Sequence, residues 1–436
     1  MSKEYYFISD LHIGGDEALG VCDFEEELIT FLQNISSQPK DAELVIIGDA
    51  FGLWEFTQVA GKEKIETLFA QFPRIFKAFR TAGENIKITI LPGNHDYEIA
   101  CYTEFVDLFK VYNINVEQTP SITRKIGDKS LWIEHGNQYD EVNRMPDFGN
   151  PYALPIGYFI TKNTVAKAGM LSRKGRHNWL KDIQSVYPTE LIPDWIMSNY
   201  FYREMSPVLR WILLPFLLLS GLTLFVLGGA ALEYFNITDD NIFLNNRIFD
   251  SLGIVGSLFQ IILNINAIAL LVFLALAIPF GFVIRDLKRT LKRFDIELDP
   301  AELTGEKEDL YTNAAHKVFN DNPDTAAFIY GHTHTPSIRS IEKRYIINTG
   351  TWLKQFERIS PRFGLLPPIY APLYCLNYFK VKKEGENIVI EYHKIDKTIS
   401  NDLTLVQRIM SRAQKRTVNT IPVKTIVKME SQLNKK

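Results

Sequence analysis

Short apolar runs alternate with segments of helical period through the first part of the chain: YYFIS, then FEEELITFLQNI, AELVIIGD, KIETLFAQFPRIFKAFRTAG and IKITILPGN. Runs rich in β-branched and aromatic residues and closed by Gly, Asn or Asp predict strands, and strands alternating with helices predict an α/β layered domain. The pattern then shifts to consecutive strands at INVEQ, SITRKI and SLWIEHG, and strands resume much later at AAFIYGHTH, SIRSIEKRYIINTG, YCLNYFKVKK and NIVIEYHKI. One folded domain interrupted by a long insertion is the expected organisation. Its first half is residues 1–140, the insertion 141–308, the second half 309–398, and a basic tail 399–436 closes the chain.

Hydrophobicity concentrates inside the insertion. Trp211 to Leu232 carries no charge over 22 residues, and as a helix would span about 33 Å, close to a bilayer core of about 30 Å. A second charge-free run, Ser251 to Ile284, contains AIALLVFLALAIPFGFVI, and its span is placed near 262–284 because Gln260, Asn264 and Asn266 interrupt the first half. Two spans, at about 211–232 and 262–284, predict a transmembrane hairpin. Arg203 and Arg210 precede the first span, and Arg285, Lys288, Arg289, Lys292 and Arg293 follow the second. Positive residues favour the cytoplasmic side, so an integral membrane protein with a cytoplasmic catalytic domain is expected. The apolar surface of the hairpin suits a homodimer as well as membrane lipids.

Charge changes this picture little: 23% of residues are charged and the net charge is -3, which argues against a nucleic-acid partner. Cys22, Cys101 and Cys375 are odd in number and form no CxxC pair, so neither a disulfide framework nor a zinc knuckle is expected. The tail from Asp402 to Lys436 is strongly basic, with Leu405, Ile409 and Met410 on one face of a short expected helix.

Five of the predicted strands end in metal-competent side chains: Asp10 and His12 in ISDLHIGG, Asp49 in IIGDAFGLWEF, Asn94, His95 and Asp96 in LPGNHDYE, His135 in WIEHGNQYD, and His332 and His334 in YGHTHTP. In layered α/β folds ligands bind beyond the carboxyl ends of strands, so each strand would aim its donors at one shared edge. Residues separated by one, as in Asp10-x-His12 and His332-x-His334, project from the same side of an extended segment. Oxygen and imidazole donors without thiolates suit Mn²⁺, Fe or Zn²⁺. Asp49 could bridge two cations about 3.5–4 Å apart.

With these residues in place the sequence resembles the calcineurin-like metallophosphoesterase superfamily, whose pattern DxH, GD, GNH[DE], H and GHxH is complete here. The resemblance covers residues 1 to about 140 and about 320 to 395. It implies a four-layer α-β-β-α sandwich, with one divalent cation on Asp10, His12, Asp49 and His334 and a second on Asp49, Asn94, His135 and His332. Mn²⁺ is the expected metal, with Fe or Zn²⁺ as alternatives. His95 is then the candidate to stabilise or protonate the leaving oxygen, with Asp96 orienting its ring.

SDLHIGG, GDAFGLWEF and HGNQYDEVN are also similar to the UDP-2,3-diacylglucosamine hydrolases, which cleave a pyrophosphate in a lipid-linked nucleotide sugar. The chain departs from them in having His95 where that family typically has Arg, and in its longer, membrane-spanning insertion. A lipid-linked phosphodiester or pyrophosphate is the expected substrate, and a soluble phosphorylated substrate the alternative. In the juxtamembrane segment, Arg173, Arg176 and His177 of RKGRHNW are the expected phosphoryl-binding residues, with Trp179 at the interface.

Overall fold

In the computed structural model, which describes residues 3–37, 39–174, 176–187, 191–238, 242–245, 247–292, 300–361, 366–397, 403–411 and 421–428, the apolar runs form two facing sheets. The first is built from β1 (Glu4–Ile8), β2 (Ala42–Ile47), β3 (Lys87–Leu91) and β4 (Ile114–Val116), which run parallel. The second contains β5 (Ser121–Ile126), β6 (Lys129–Glu134), β7 (Thr325–Tyr330), β8 (Ser337–Ile341) and β9 (Arg344–Asn348), ordered β5-β6-β7-β9-β8. A ribbon of β10 (Lys354–Ile359) and β11 (Ile369–Tyr374) follows. Then β12 (Asn377–Glu384), β13 (Asn387–Lys394) and β14 (Lys424–Lys428) return to the first sheet, whose order is β14-β13-β12-β1-β2-β3-β4.

Side-chain alternation decides the layers, because successive residues of a strand point to opposite faces. Tyr5, Phe7, Val45 and Ile47 of the first sheet share one apolar cluster with Ile122, Leu131, Ile133, Ile329 and Ile347 of the second. Their neighbours Tyr6, Ile8, Leu44 and Ile46 turn the other way, onto helices Glu25–Ile35, Lys62–Gln71, Pro73–Ala82 and Thr103–Lys110. On the far face of the second sheet, Phe328, Tyr330 and Ile346 pack against Tyr311, Ala315 and Phe319 of helix Pro300–Asp321. The result is the expected α-β-β-α order. β2 and β7 are buried along their whole length, as strands covered on both faces must be.

The insertion leaves after β6 and returns at helix Pro300–Asp321. It packs on the β10–β11 ribbon through Trp179, Ile183, Trp195, Phe356 and Tyr370, and through Phe201, Tyr202, Leu214, Leu366 and Ile369. Trp179 is therefore not at an interface. It is 7% exposed, stacks edge-on with Trp195 and donates its indole N–H to Glu204 at 2.8 Å.

Two long helices lie between these parts: Pro207–Tyr234, 28 residues, and Gly253–Lys292, 40 residues. Among the described residues one stretch is long and apolar enough to cross a membrane, Gly253–Val283, which is 31 residues long and mostly exposed; Leu219–Tyr234 is a shorter apolar helix. The crossing expected at 211–232 thus rests on sequence alone, and the apolar helix of the other starts at Gly253, about two and a half turns earlier than 262. The tail also differs from expectation: Thr404 and Gln407 form a capping box that starts helix Leu405–Met410, and β14 is an edge strand paired with β13. Met410 is buried while Leu405 and Ile409 are exposed, so the three do not form one covered face.

Candidate metal centre

Beyond the ends of β1 and β2 the two chains stay paired: Asp10 N–H donates to Gly48 O at 3.2 Å, His12 N–H to Asp49 O at 2.9 Å and Ile13 N–H to Ala50 O at 3.0 Å. This brings Asp10, His12 and Asp49 side by side. The segments are not extended, as the spacing alone suggests. Asp10, His12, Asp49, His332 and His334 take φ of 54°, 44°, 50°, 65° and 57°, a left-handed conformation that costs a non-glycine residue about 1–3 kcal/mol. Five such residues at one edge mark a backbone held in place to aim side chains. Gly48, itself at φ 73°, leaves the space that the His135 ring fills, and Gly93 leaves room for the Asp49 carboxylate.

The expected donors converge in two groups, Asp10, His12 and His334, and Asp49, His135 and His332, and His12 also stands in a third metal-competent group with Glu55 and His95. Asp49 Oδ2 stands between them, 3.7 Å from His12 Nε2 and 3.2 Å from His135 Nε2. Asp10 Oδ1 is 3.3 Å from His334 Nε2, and Asn94 Oδ1 is 3.2 Å from His135 Nε2. With metal–ligand bonds of about 2.0–2.2 Å, donors sharing one cation stand roughly 3–4 Å apart, so the spacing fits. Asp10 Oδ1 and both ring nitrogens of His12 are buried without a hydrogen-bond partner, a costly arrangement unless a cation satisfies them.

Electrostatics agrees with this fit. Burial, joined by the neighbouring charge of His95, pushes the His12 imidazole down to about 3, leaving it neutral and able to ligate. Burial also opposes the charge on Asp49, but His135 and His95 outweigh it and hold the carboxyl well below its usual range. His135 donates Nδ1–H to Ile47 O at 2.8 Å, which turns Nε2 toward Asp49 and Asn94.

His95 lies beside both groups. Its ring stands 4.5 Å from that of His12 and 4.7 Å from the Trp54 indole, and Nδ1 is 2.8 Å from Glu55 Oε1. Burial alone would lower its pKa, but the Glu55 and Asp49 carboxylates push it up to about 9, so the ring carries its proton at neutral pH. Glu55, with no exposure to solvent, is the orienting group. Asp96 is not: its carboxylate accepts Gly93 N–H at 2.6 Å, Ala50 N–H at 2.8 Å and Phe51 N–H at 3.3 Å. Buried backbone donors must be paired, and these three claim both its oxygens.

Several contacts have no signature in the motifs. His332 Nε2 is 3.1 Å from Asp140 Oδ2, and the same oxygen accepts from Asn143 Nδ2 at 3.1 Å. Asn94 Nδ2 donates to Asn143 Oδ1 at 3.5 Å. From the insertion, Tyr187 lies over His334 with ring centroids 5.3 Å apart, and Tyr158 meets Trp54 edge-on at 5.6 Å. Arg173 is exposed on the turn Ser172–Lys174, and no contact among the described residues brings it to the donors. The side chains of Arg176 and His177 lie outside the described residues.

Residues 4–215 match the family model described as calcineurin-like phosphoesterase. Among curated proteins none matches the chain. Similar solved structures include a conserved predicted phosphoesterase from Streptococcus pneumoniae, 9% identical over 92% of this chain and 95% of that one, with a TM-score of 0.28. Vacuolar Protein Sorting 29 from Cryptosporidium parvum is 11% identical over 91% and 92%, TM-score 0.26. Zn²⁺-complexed Vps29 from Entamoeba histolytica is 9% identical over 91% and 96%, TM-score 0.26.

Proposed function

We propose, starting from the membership of this chain in the calcineurin-like phosphoesterases through residues 4–215, that it hydrolyses a lipid-linked phosphodiester or pyrophosphate, of the nucleotide-sugar-lipid type, at the cytoplasmic face of a membrane. The broader activity is that of a metal-dependent phosphoester hydrolase. Asp10, His12, Asp49 and His334 would hold one divalent cation, and Asp49, Asn94, His135 and His332 a second, with Mn²⁺ ahead of Fe or Zn²⁺ for this oxygen and imidazole set. Bound there, two cations supply Lewis acidity toward a phosphoryl oxygen and lower the pKa of water for in-line attack.

The chain itself supplies proton delivery and orientation. His95, kept protonated by Glu55, would donate to the departing oxygen; its contact with Glu55 supports that role. Trp54 covers the ring on one side and limits water around it.

One observation carries the lipid reading. The insertion departs a few residues after His135, and the chain comes back through helix Pro300–Asp321 and β7 to His332, whose neighbour Gly331 donates its N–H to His135 O at 2.9 Å; in between runs the exposed apolar helix Gly253–Val283. A membrane segment rooted at the donors holds the site near the headgroups, so substrate need not be extracted into water at about 0.8 kcal/mol per CH₂. Detergent-solubilised protein loaded with Mn²⁺ is expected to hydrolyse acylated diphosphate diesters at least tenfold faster than deacylated ones. Equal rates would overturn the lipid reading in favour of a soluble phosphorylated substrate, with the apolar helices as an anchor only.

A further inference from the structure

We infer that the loop following β6 is a clamp on the second cation's donors, in which Asp140 and Asn143 are positioning residues and Gly157 is the point where the insertion sets the clamp. The inference rests on the two-cation reading and extends it to residues that ligate nothing themselves.

Two of the second cation's expected donors are held from this one loop. His332, 192 positions away, has Nε2 at 3.1 Å from Asp140 Oδ2, which fixes the ring and leaves Nδ1 as the nitrogen available to ligate. Asn94 gives its amide N–H to Asn143 Oδ1 at 3.5 Å, which points Oδ1 toward His135. Asp140 and Asn143 are joined to each other through Nδ2 and Oδ2 at 3.1 Å, so the two donors share one support. Further bonds stiffen the loop: Val142 N–H to Asp140 Oδ1 at 3.0 Å, Asn143 N–H to Asp140 O at 3.0 Å, and Asn137 Nδ2 to Asn143 O at 3.0 Å. Of the first cation's donors, Asp10 is held from elsewhere, its Oδ2 accepting from Ser9 Oγ and from His332 N–H at 3.0 Å.

The first helix of the insertion, Ile156–Ile160, reaches the same loop. Gly157 N–H donates to Val142 O at 2.9 Å, and a Cβ at Gly157 would strike Asn143 Oδ1, the atom that receives the Asn94 amide. Alanine is favoured over glycine inside a helix, so Gly157→Ala should not weaken the helix itself. What it must do is displace the Asn143 side chain. Strain or movement in the membrane-side insertion therefore has a direct route to Asn94 and His332.

The test is Mn²⁺ binding to full-length, detergent-solubilised protein, measured by calorimetry with metal content checked by mass spectrometry and fold by circular dichroism. Wild type is expected to bind two Mn²⁺. Asp140→Ala should keep one at wild-type affinity and bind the other roughly 10–100-fold more weakly, and Asp140→Asn should recover part of the loss by retaining an acceptor oxygen. Gly157→Ala, which leaves Asp140 and every donor in place, should weaken the same cation and serves as the readout if Asp140→Ala does not fold. Wild-type affinity for both cations in Gly157→Ala and in the folded Asp140 variants, or equal weakening of both, would overturn the clamp. A wild type that binds fewer than two Mn²⁺ would overturn the two-cation reading beneath it.

Discussion

At the scale of single residues, Glu55 shows how a catalytic neighbour hides from sequence. It lies in the same segment as Asp49, but its partner His95 is 40 positions away, and only folding sets the 2.8 Å contact. Adjacency favours Asp96 instead, and fails because backbone N–H groups of two loops compete for that carboxylate and win. Glu55→Gln is expected to lower kcat by about 10²-fold or more while both Mn²⁺ ions stay bound. Unchanged turnover in a steady-state assay would remove Glu55 from the mechanism. The motif donors were legible because each lies close after a strand end, and Asp49, Asn94, His135 and His332 adjoin a glycine; at Gly48, Ala would collide with His135 and is expected to abolish binding of the second cation in a metal titration.

At the scale of elements, the strands were legible from period and composition, and the join between sheets was not. Glu43 on β2 and Arg124 on β5 link the two sheets, with Nε at 3.0 Å from Oε1 and Thr89 Oγ1 donating at 2.7 Å. Burial would raise the Glu43 carboxyl, but the bonds from Arg124 and Thr89 outweigh it and hold it below its ordinary value. A depressed carboxylate stabilises the fold above its unfolded pKa, near about 4.3, and that contribution is lost as pH falls through the lower folded value. Glu43→Gln is expected to cost roughly 3 kcal/mol at pH 7, with the gap to wild type narrowing below about pH 4. A gap of the same size at pH 3 in denaturant melts would contradict the assignment. The donor-bearing loops likewise departed from the extended form: where the backbones beyond β1 and β2 stay paired, Asp10, His12 and Asp49 are left-handed, as are His332 and His334 beyond β7.

For the whole molecule, an exposed apolar helix of 31 residues, Gly253–Val283, grows from a domain whose strands bury their apolar side chains between the facing sheets and under helices. In cell membranes washed with alkaline carbonate the full chain is expected to stay in the pellet. Release into the supernatant would show that the helix does not cross. Chelation should abolish hydrolysis and lower the melting temperature, and Mn²⁺ at about 100 times its Kd should restore about 2.7 kcal/mol for each site filled.

The sequence by itself determined which side chains can ligate, where strands end and which stretches water disfavours, because strand period, turn glycines and long uncharged runs are local properties. Only the tertiary structure decided which carboxylate orients His95, that Trp179 is a core residue, that β14 completes the first sheet, and that Asp140 and Asn143 support His332 and Asn94. Those outcomes depend on which distant groups burial brings within about 3 Å of each other, and on the need of every buried polar atom for a partner, neither of which is written in spacing along the chain.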